Sequence, residues 1–285
     1  KMAHEIKYNE RKDIVEVNLE TYPFNEEARK VLFDLTSLKK LRIDGQALTP
    51  HIAKLTELES LEIPGDWIPD SVLAQFGKLT KLKRLQLPPF PFCSHFDNNI
   101  RHPEEMPFPM MDLDMDDEVG YRTAILDGHF LHDMSECVNY GRQVDDADNM
   151  SAQSIMAWGG LTELEYLSIP GPFLHPDSIA TIESFKKLKE LHALFTDVDP
   201  KVLKRVANMT QLRKLSIGLH DLNDGDKAIL AKMKHLEVLQ LFLMHVPYDE
   251  DYEPKLDEVK KQLKSILPNT EIHILYNEYL GWLAG

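Results

Sequence analysis

The chain has 285 residues, 43% of them hydrophobic, enough to bury a sizeable core in one large domain or two ordinary ones. Its net charge of -15 argues against nucleic acid or an anionic membrane surface as partner, because both select clustered Lys and Arg. Two cysteines, Cys93 and Cys137, make no disulfide framework, and no apolar run reaches the ~18 residues of a membrane-spanning helix.

The N-terminal stretch KMAHEIKYNERKD is polar and holds no apolar signal core, which favours a cytoplasmic protein. Lys1 precedes Met2, so a leader or further upstream segment stays open. IVEVNLE, residues 14–20, reads as a first, divergent strand, and NEEARKVLFD as the helix after it.

From Leu35 onward one phrase recurs. LTELESLEIPG begins at Leu55 and LTELEYLSIPG at Leu161, with nine of eleven residues shared. Aligned on that phrase, seven units start at Leu35, Leu55, Leu79, Leu161, Phe185, Met209 and Met233. Their steps are 20, 24, 82, 24, 24 and 24 residues. Each unit adds an apolar residue thirteen positions after its start (Leu48, Ile68, Phe92, Leu174, Val198, Leu222, Val246). The later units place another three positions before it, among them Ile52, Phe76, Trp158 and Val206. Pro69-Asp70-Ser71, Pro176-Asp177-Ser178 and Asp199-Pro200 suit helix starts, where an Asp side chain accepts from free amides and Pro fits the first turn. Each unit is therefore expected to be a short strand, a turn and a helix of about two or three turns.

This pattern resembles the leucine-rich repeat family, whose units of ~20–29 residues carry an LxxLxL core. The resemblance covers residues 14–87 and 151–275. It departs from the family where an Asn or Cys usually follows the last strand leucine; here Gln46, Asp66, Phe90, Pro172, Thr196, His220 and Met244 stand there. Helix caps, water and bends at Gly45, Gly65 and Gly171 are expected to hold the turns instead. The implied fold is α/β: a solenoid or horseshoe with a parallel sheet on the concave face and short helices on the convex face. A doubly wound sheet fits less well, because strands such as LKKLRID and LESLEIP alternate apolar and polar residues. The expectation is a single domain, 1–285, with repeats at 14–87 and 151–275 and a C-terminal cap at 255–285. In that cap KLDEVKKQLKSILPNTEIHIL supplies a last helix, a Pro268-Asn269 turn and a last strand.

The 82-residue step marks an insertion, 88–150, inside one unit. It carries 14 acidic residues against three arginines and no lysine, about -11 of the total charge, with six of the eleven methionines. Partial order is expected, with Phe90, Phe92, Phe96, Met110, Tyr121, Ile125 and Leu131 as anchors against the repeats. Cys93, His95, His129, His132 and Cys137 could supply four zinc ligands, although their spacing follows no standard zinc motif and packing accounts for them as well. The run from Asp112 to Glu118 fails the EF-hand test: Asp117 stands at the sixth position and Thr123 at the twelfth. No phosphate loop, nucleophile elbow or HExxH is present, so no catalytic residues and no cofactor are assigned.

What remains is the outward row of the strands: Asn18, Arg42, Glu62, Gln86, Ser168, His192, Ser216, Gln240 and His273. The flanking row is Ser60, Arg84, Tyr166, Glu190, Lys214 and Val238. Arg42, Glu62, Arg84, Gln86, Tyr166, Ser168, His192, Lys214 and Gln240 are the candidate partner-binding residues. Mixed charge with Tyr and Arg suits a protein partner, with the acidic balance compatible with a basic one. For any single one of them, an ordinary wet sheet face is a better explanation than contact. The reading is a non-enzymatic interaction module using this face and the acidic insertion. Two alternatives stand beside it: a zinc site in the insertion, structural or catalytic, and a recognition fragment of a larger signalling or effector protein. Oligomeric state is open.

Overall fold

A computed structural model describes residues 4–19, 26–64, 68–88, 152–194, 197–243 and 252–276. Ten strands form one mixed sheet in chain order, each hydrogen-bonded to its sequence neighbours. β1 (His4–Tyr8) pairs antiparallel with β2 (Ile14–Leu19), and every later pair is parallel. The others are β3 (Lys40–Ile43), β4 (Ser60–Glu62), β5 (Arg84–Gln86), β6 (Tyr166–Ser168), β7 (Glu190–Ala193), β8 (Lys214–Leu219), β9 (Val238–Leu243) and β10 (Glu271–Tyr276).

The leucine pattern sets the register. Leu41, Leu61, Leu85, Leu167, Leu191, Leu215, Leu239 and Ile272 are cross-strand partners in one row, all buried. A one-residue slip would turn that row outward, so burial enforces the alignment. One apolar cluster runs the length of the stack, from Val17 to Ile272. No unit could stand alone: a buried leucine contributes about 1.5–3 kcal/mol, against about 1–2 kcal/mol to fix each residue's backbone.

The helices are α1 (Glu26–Phe33), α2 (Asp70–Leu73), α3 (Ala152–Ile155), α4 (Ile179–Ser184), α5 (Pro200–Val206), α6 (Asp224–Leu230) and α7 (Tyr252–Ile266). α1, α5 and α6, of seven or eight residues, have about the two turns expected, whereas α2, α3 and α4 are shorter. α2 and α3 have four residues each and run on as 3-10 segments, Ala74–Lys78 and Met156–Gly160. The unit after β3 has only 3-10 turns, Gly45–Ala47 and Pro50–Lys54. Repeats of 20–24 residues leave little chain to span from one strand to the next, and 3-10 backbone covers ~2.0 Å per residue against 1.5 Å for an α-helix.

Capping also differs in part. Asp199 accepts from the Lys201 amide as expected, and Asn223 and Thr49 do the same for Asp226 and His51. At the Pro69 turn, however, Pro69 is the cap, which has no side-chain acceptor to offer, and Asp70 already lies in the helix. Ser178 instead bonds the Phe173 carbonyl, bracing the turn from below.

The break at the insertion is closed by direct contact. β5 and β6 pair in register although the chain between them is long, Arg84 opposite Tyr166 and Gln86 opposite Ser168. Trp158 is fully buried, lies 6.0 Å from the Phe76 ring, and donates its indole N–H to the Leu73 carbonyl at 2.7 Å. Gly77 and Gly160 allow the two 3-10 segments to meet, since a Cβ on Gly77 would run into the Ala157 carbonyl. The insertion from 89 onward lies outside the described residues, and with it Cys93, His95, His129, His132, Cys137 and the expected apolar anchors. So does the chain after Tyr276.

The sequence reading assigned nothing to residues 4–8, where the structure has β1. Its hairpin turns on Asn9, whose side-chain oxygen accepts from the Arg11 and Asp13 amides, and on Lys12, which takes a positive φ of 65°.

Candidate functional site

Strand alternation places two rows on the sheet face opposite the leucines. Glu16, Lys40, Ser60, Arg84, Tyr166, Glu190, Lys214, Val238 and Glu271 form one; Asn18, Arg42, Glu62, Gln86, Ser168, His192, Ser216, Gln240 and His273 form the other. All nine predicted binding residues thus share one face.

They do not form one cluster. Toward the N-terminus the contacts are ionic: Arg42 Nη1 to Glu62 at 2.8 Å and Lys40 to Glu16 at 3.7 Å. From β5 onward a side-chain chain crosses five strands. The Arg84 guanidinium lies 3.6 Å above the Tyr166 ring and donates from Nη2 to Gln86 at 2.9 Å. Tyr166 meets the His192 ring at 5.0 Å between centroids. His192 Nδ1 is 2.8 Å from Ser216 Oγ, which donates to Gln240 Oε1 at 2.9 Å.

That network assigns the tautomer. With the Ser216 hydroxyl proton given to Gln240, the Ser216 oxygen accepts from His192 Nδ1–H. Nε2 then carries a lone pair, and the Glu190 carboxylate stays 3.7 Å from it, beyond hydrogen-bonding reach. Glu190 pairs with Lys214 at 3.5 Å. Burial holds the His192 imidazole below the usual histidine range, against the opposing pull of Glu190. Burial also raises the Tyr166 phenol, with Arg84 opposing. Both rings are therefore neutral at neutral pH.

Ser216, His192 and Glu190 together look like a hydrolase triad, but the geometry does not activate a nucleophile. Ser216 is 3% exposed, its proton points to Gln240, and the carboxylate does not reach the ring. The arrangement arises because equivalent positions of neighbouring repeats lie side by side.

Beside this face runs a rim of alternating charge. Lys39, Glu59 and Lys83 follow one another at 3.5 and 2.7 Å, and Glu165 holds Lys189 at 2.7 Å. A parallel pair of bridges joins Glu57 to Lys81 and Glu163 to Lys187. Half-exposed pairs of this kind are screened by water and contribute little to stability. A shallow depression of about 280 Å³ among Lys186, Lys187, Lys189, Gln211, Arg213 and Glu165 lies on this rim, and two of its lysines already hold acids.

The sequence put Glu190 and Ser216 in the right rows without marking Ser216 as the bridge between His192 and Gln240 or Glu190 as the partner of Lys214. Only the contact distances distinguish them. Among the described residues, no three His, Cys, Asp or Glu side chains are grouped to hold a metal ion, and no helix is long and apolar enough to cross a membrane.

No protein-family model matches the chain, and no curated protein does. Among solved structures, it is similar to an internalin of Listeria monocytogenes at 17% identity, over 96% of this chain and 88% of that one, with a TM-score of 0.22. The fold description rests on the strand order and register, to which a score of that size adds nothing.

Proposed function

We propose that this chain is a non-catalytic interaction module that docks a protein partner on the polar face of its sheet, with the repeats forming a leucine-rich solenoid. The observation that supports the reading is the connected row Arg84, Tyr166, His192, Ser216 and Gln240. Side chains already fixed by one another lose little conformational freedom on binding, and Tyr and Arg are the residues that most often anchor interfaces. The acidic insertion falls in sequence between β5 and β6, the strands that carry Arg84 and Tyr166, and is assigned a share of the same partner. The test is site-specific photocrosslinking in native lysate from positions Ser60, Ser168 and Gln240, compared with exposed positions Lys201 and Lys232 away from the face. A protein crosslinked from the first set and not the second, and lost on deleting 92–148, supports the whole reading. Equal crosslinking from both sets removes the face from consideration; capture unchanged by the deletion removes the insertion.

A further inference from the structure

The charged residues of the sheet face are not equivalent. Lys40 has Glu16, Arg42 has Glu62 and Lys214 has Glu190, each within 4 Å. Arg84 has no carboxylate among the described residues. Its register neighbours are Ser60 on one side and Tyr166 on the other. Its guanidinium carbon lies 3.6 Å from the centre of the Tyr166 ring, and its Nη2 donates to the Gln86 amide oxygen at 2.9 Å. Tyr166 is itself held from behind by the His192 ring.

An arginine arranged this way is unusual on a surface where every neighbouring cation is neutralised. The ring contact and the Gln86 hydrogen bond hold the guanidinium from two sides, so part of the entropy of ordering it is already lost. A planar guanidinium with donors to spare matches a carboxylate, which accepts two parallel N–H bonds. We infer that Arg84 is the anchor for an acidic side chain, Asp or Glu, on an extended segment of the protein partner. The inference rests on the docking reading above and adds the chemistry of the contact. The long-range field of a chain carrying -15 favours a partner that is basic overall. That field governs encounter, whereas a single matched acid governs where the segment sits.

The experiment selects 15-residue peptides from a random display library on the full chain, then measures their affinity by titration. S60W, beside Arg84, reports whether they dock on the sheet face. R84Q is combined with Asp→Asn or Glu→Gln changes in the peptide as a double-mutant cycle, with the melting temperature of each variant recorded. The expected result is that S60W abolishes binding, that R84Q and the matching peptide change each weaken it at least tenfold, and that the two together weaken it no more than either alone. R84K, which keeps the charge and loses the fork, should recover only part of the loss. Binding abolished by S60W with independent, multiplying effects of R84Q and the peptide change would overturn the Arg84 inference and leave the docking face standing. Peptides indifferent to S60W, or none selected, would overturn both.

Discussion

The two halves of the sheet face solve the same problem differently. Across β3 and β4 the outward side chains are charged, paired and partly exposed, and Arg42 and Glu62 keep 20% and 27% of their side-chain surface. Across β6 to β9 the face holds Tyr166, His192, Ser216 and Phe242, all buried, beside the partly exposed pair Glu190 and Lys214. In the first half the charges pair across strands while staying partly exposed. In the second, the buried groups bond one another, His192 Nδ1 through Ser216 to Gln240, with His192 Nε2 left over, and removing such a bond exposes its partner to the desolvation penalty. Ion pairs on the first half are thus interchangeable trim, whereas the polar chain on the second is part of what holds the strands in place.

The comparison can be broken most sharply at the seam between the halves. Trp158→Ala should cost about 3–5 kcal/mol, as large-to-small changes of buried aromatics do, and should split a single chemical-denaturation transition into two. A single transition with a small shift would mean the halves do not depend on Trp158 to communicate. Gly77→Ala should cost about 1–3 kcal/mol through overpacking against the Ala157 carbonyl, read as a lowered denaturation midpoint. Ser216→Val should cost about 1–3 kcal/mol by leaving His192 Nδ1 and Gln240 without their shared hydroxyl.

A pH titration sharpens the contrast further. The His192 pKa is depressed in the folded state, so the unfolded chain binds the proton first. Its contribution is present above the unfolded value of ~6.5 and is lost as pH falls from there toward the folded value, at up to about 1.4 kcal/mol per pH unit. Glu190, Lys214, Arg84, Tyr166 and Ser216 are the groups around it. Denaturation midpoints of the native chain and of His192→Gln should converge below that pH; parallel curves would show that His192 is not the group responsible. His235 shifts the same way, also by burial, and is common to both proteins. The smallest effect belongs to the first half: a double-mutant cycle on Arg42 and Glu62 should give a coupling of ~0.2–1 kcal/mol. A value as large as that of Ser216→Val would erase the distinction between the halves.

Much of the architecture was legible in advance. The leucine spacing placed β3 to β9 and their register, including the Leu85–Leu167 pairing across the insertion, and the C-terminal segment read as helix, turn and strand placed β10. The same alignment put all nine candidate side chains on one face. Helix length was misjudged, because apolar spacing over four to seven residues does not separate an α-helix from a 3-10 segment. β1 was overlooked because HEIKY is short and polar, and its turn relies on a lysine at positive φ.

The sequence alone determined which residues face the leucine layers and which face away, since a period of two with one apolar face admits a single register. Only the tertiary structure decided which outward residues touch. That depended on rotamers and on cross-strand distances between side chains twenty or more positions apart, so the stacking of Arg84 on Tyr166 and the Ser216 bridge were chosen by packing between repeats, which no single repeat encodes.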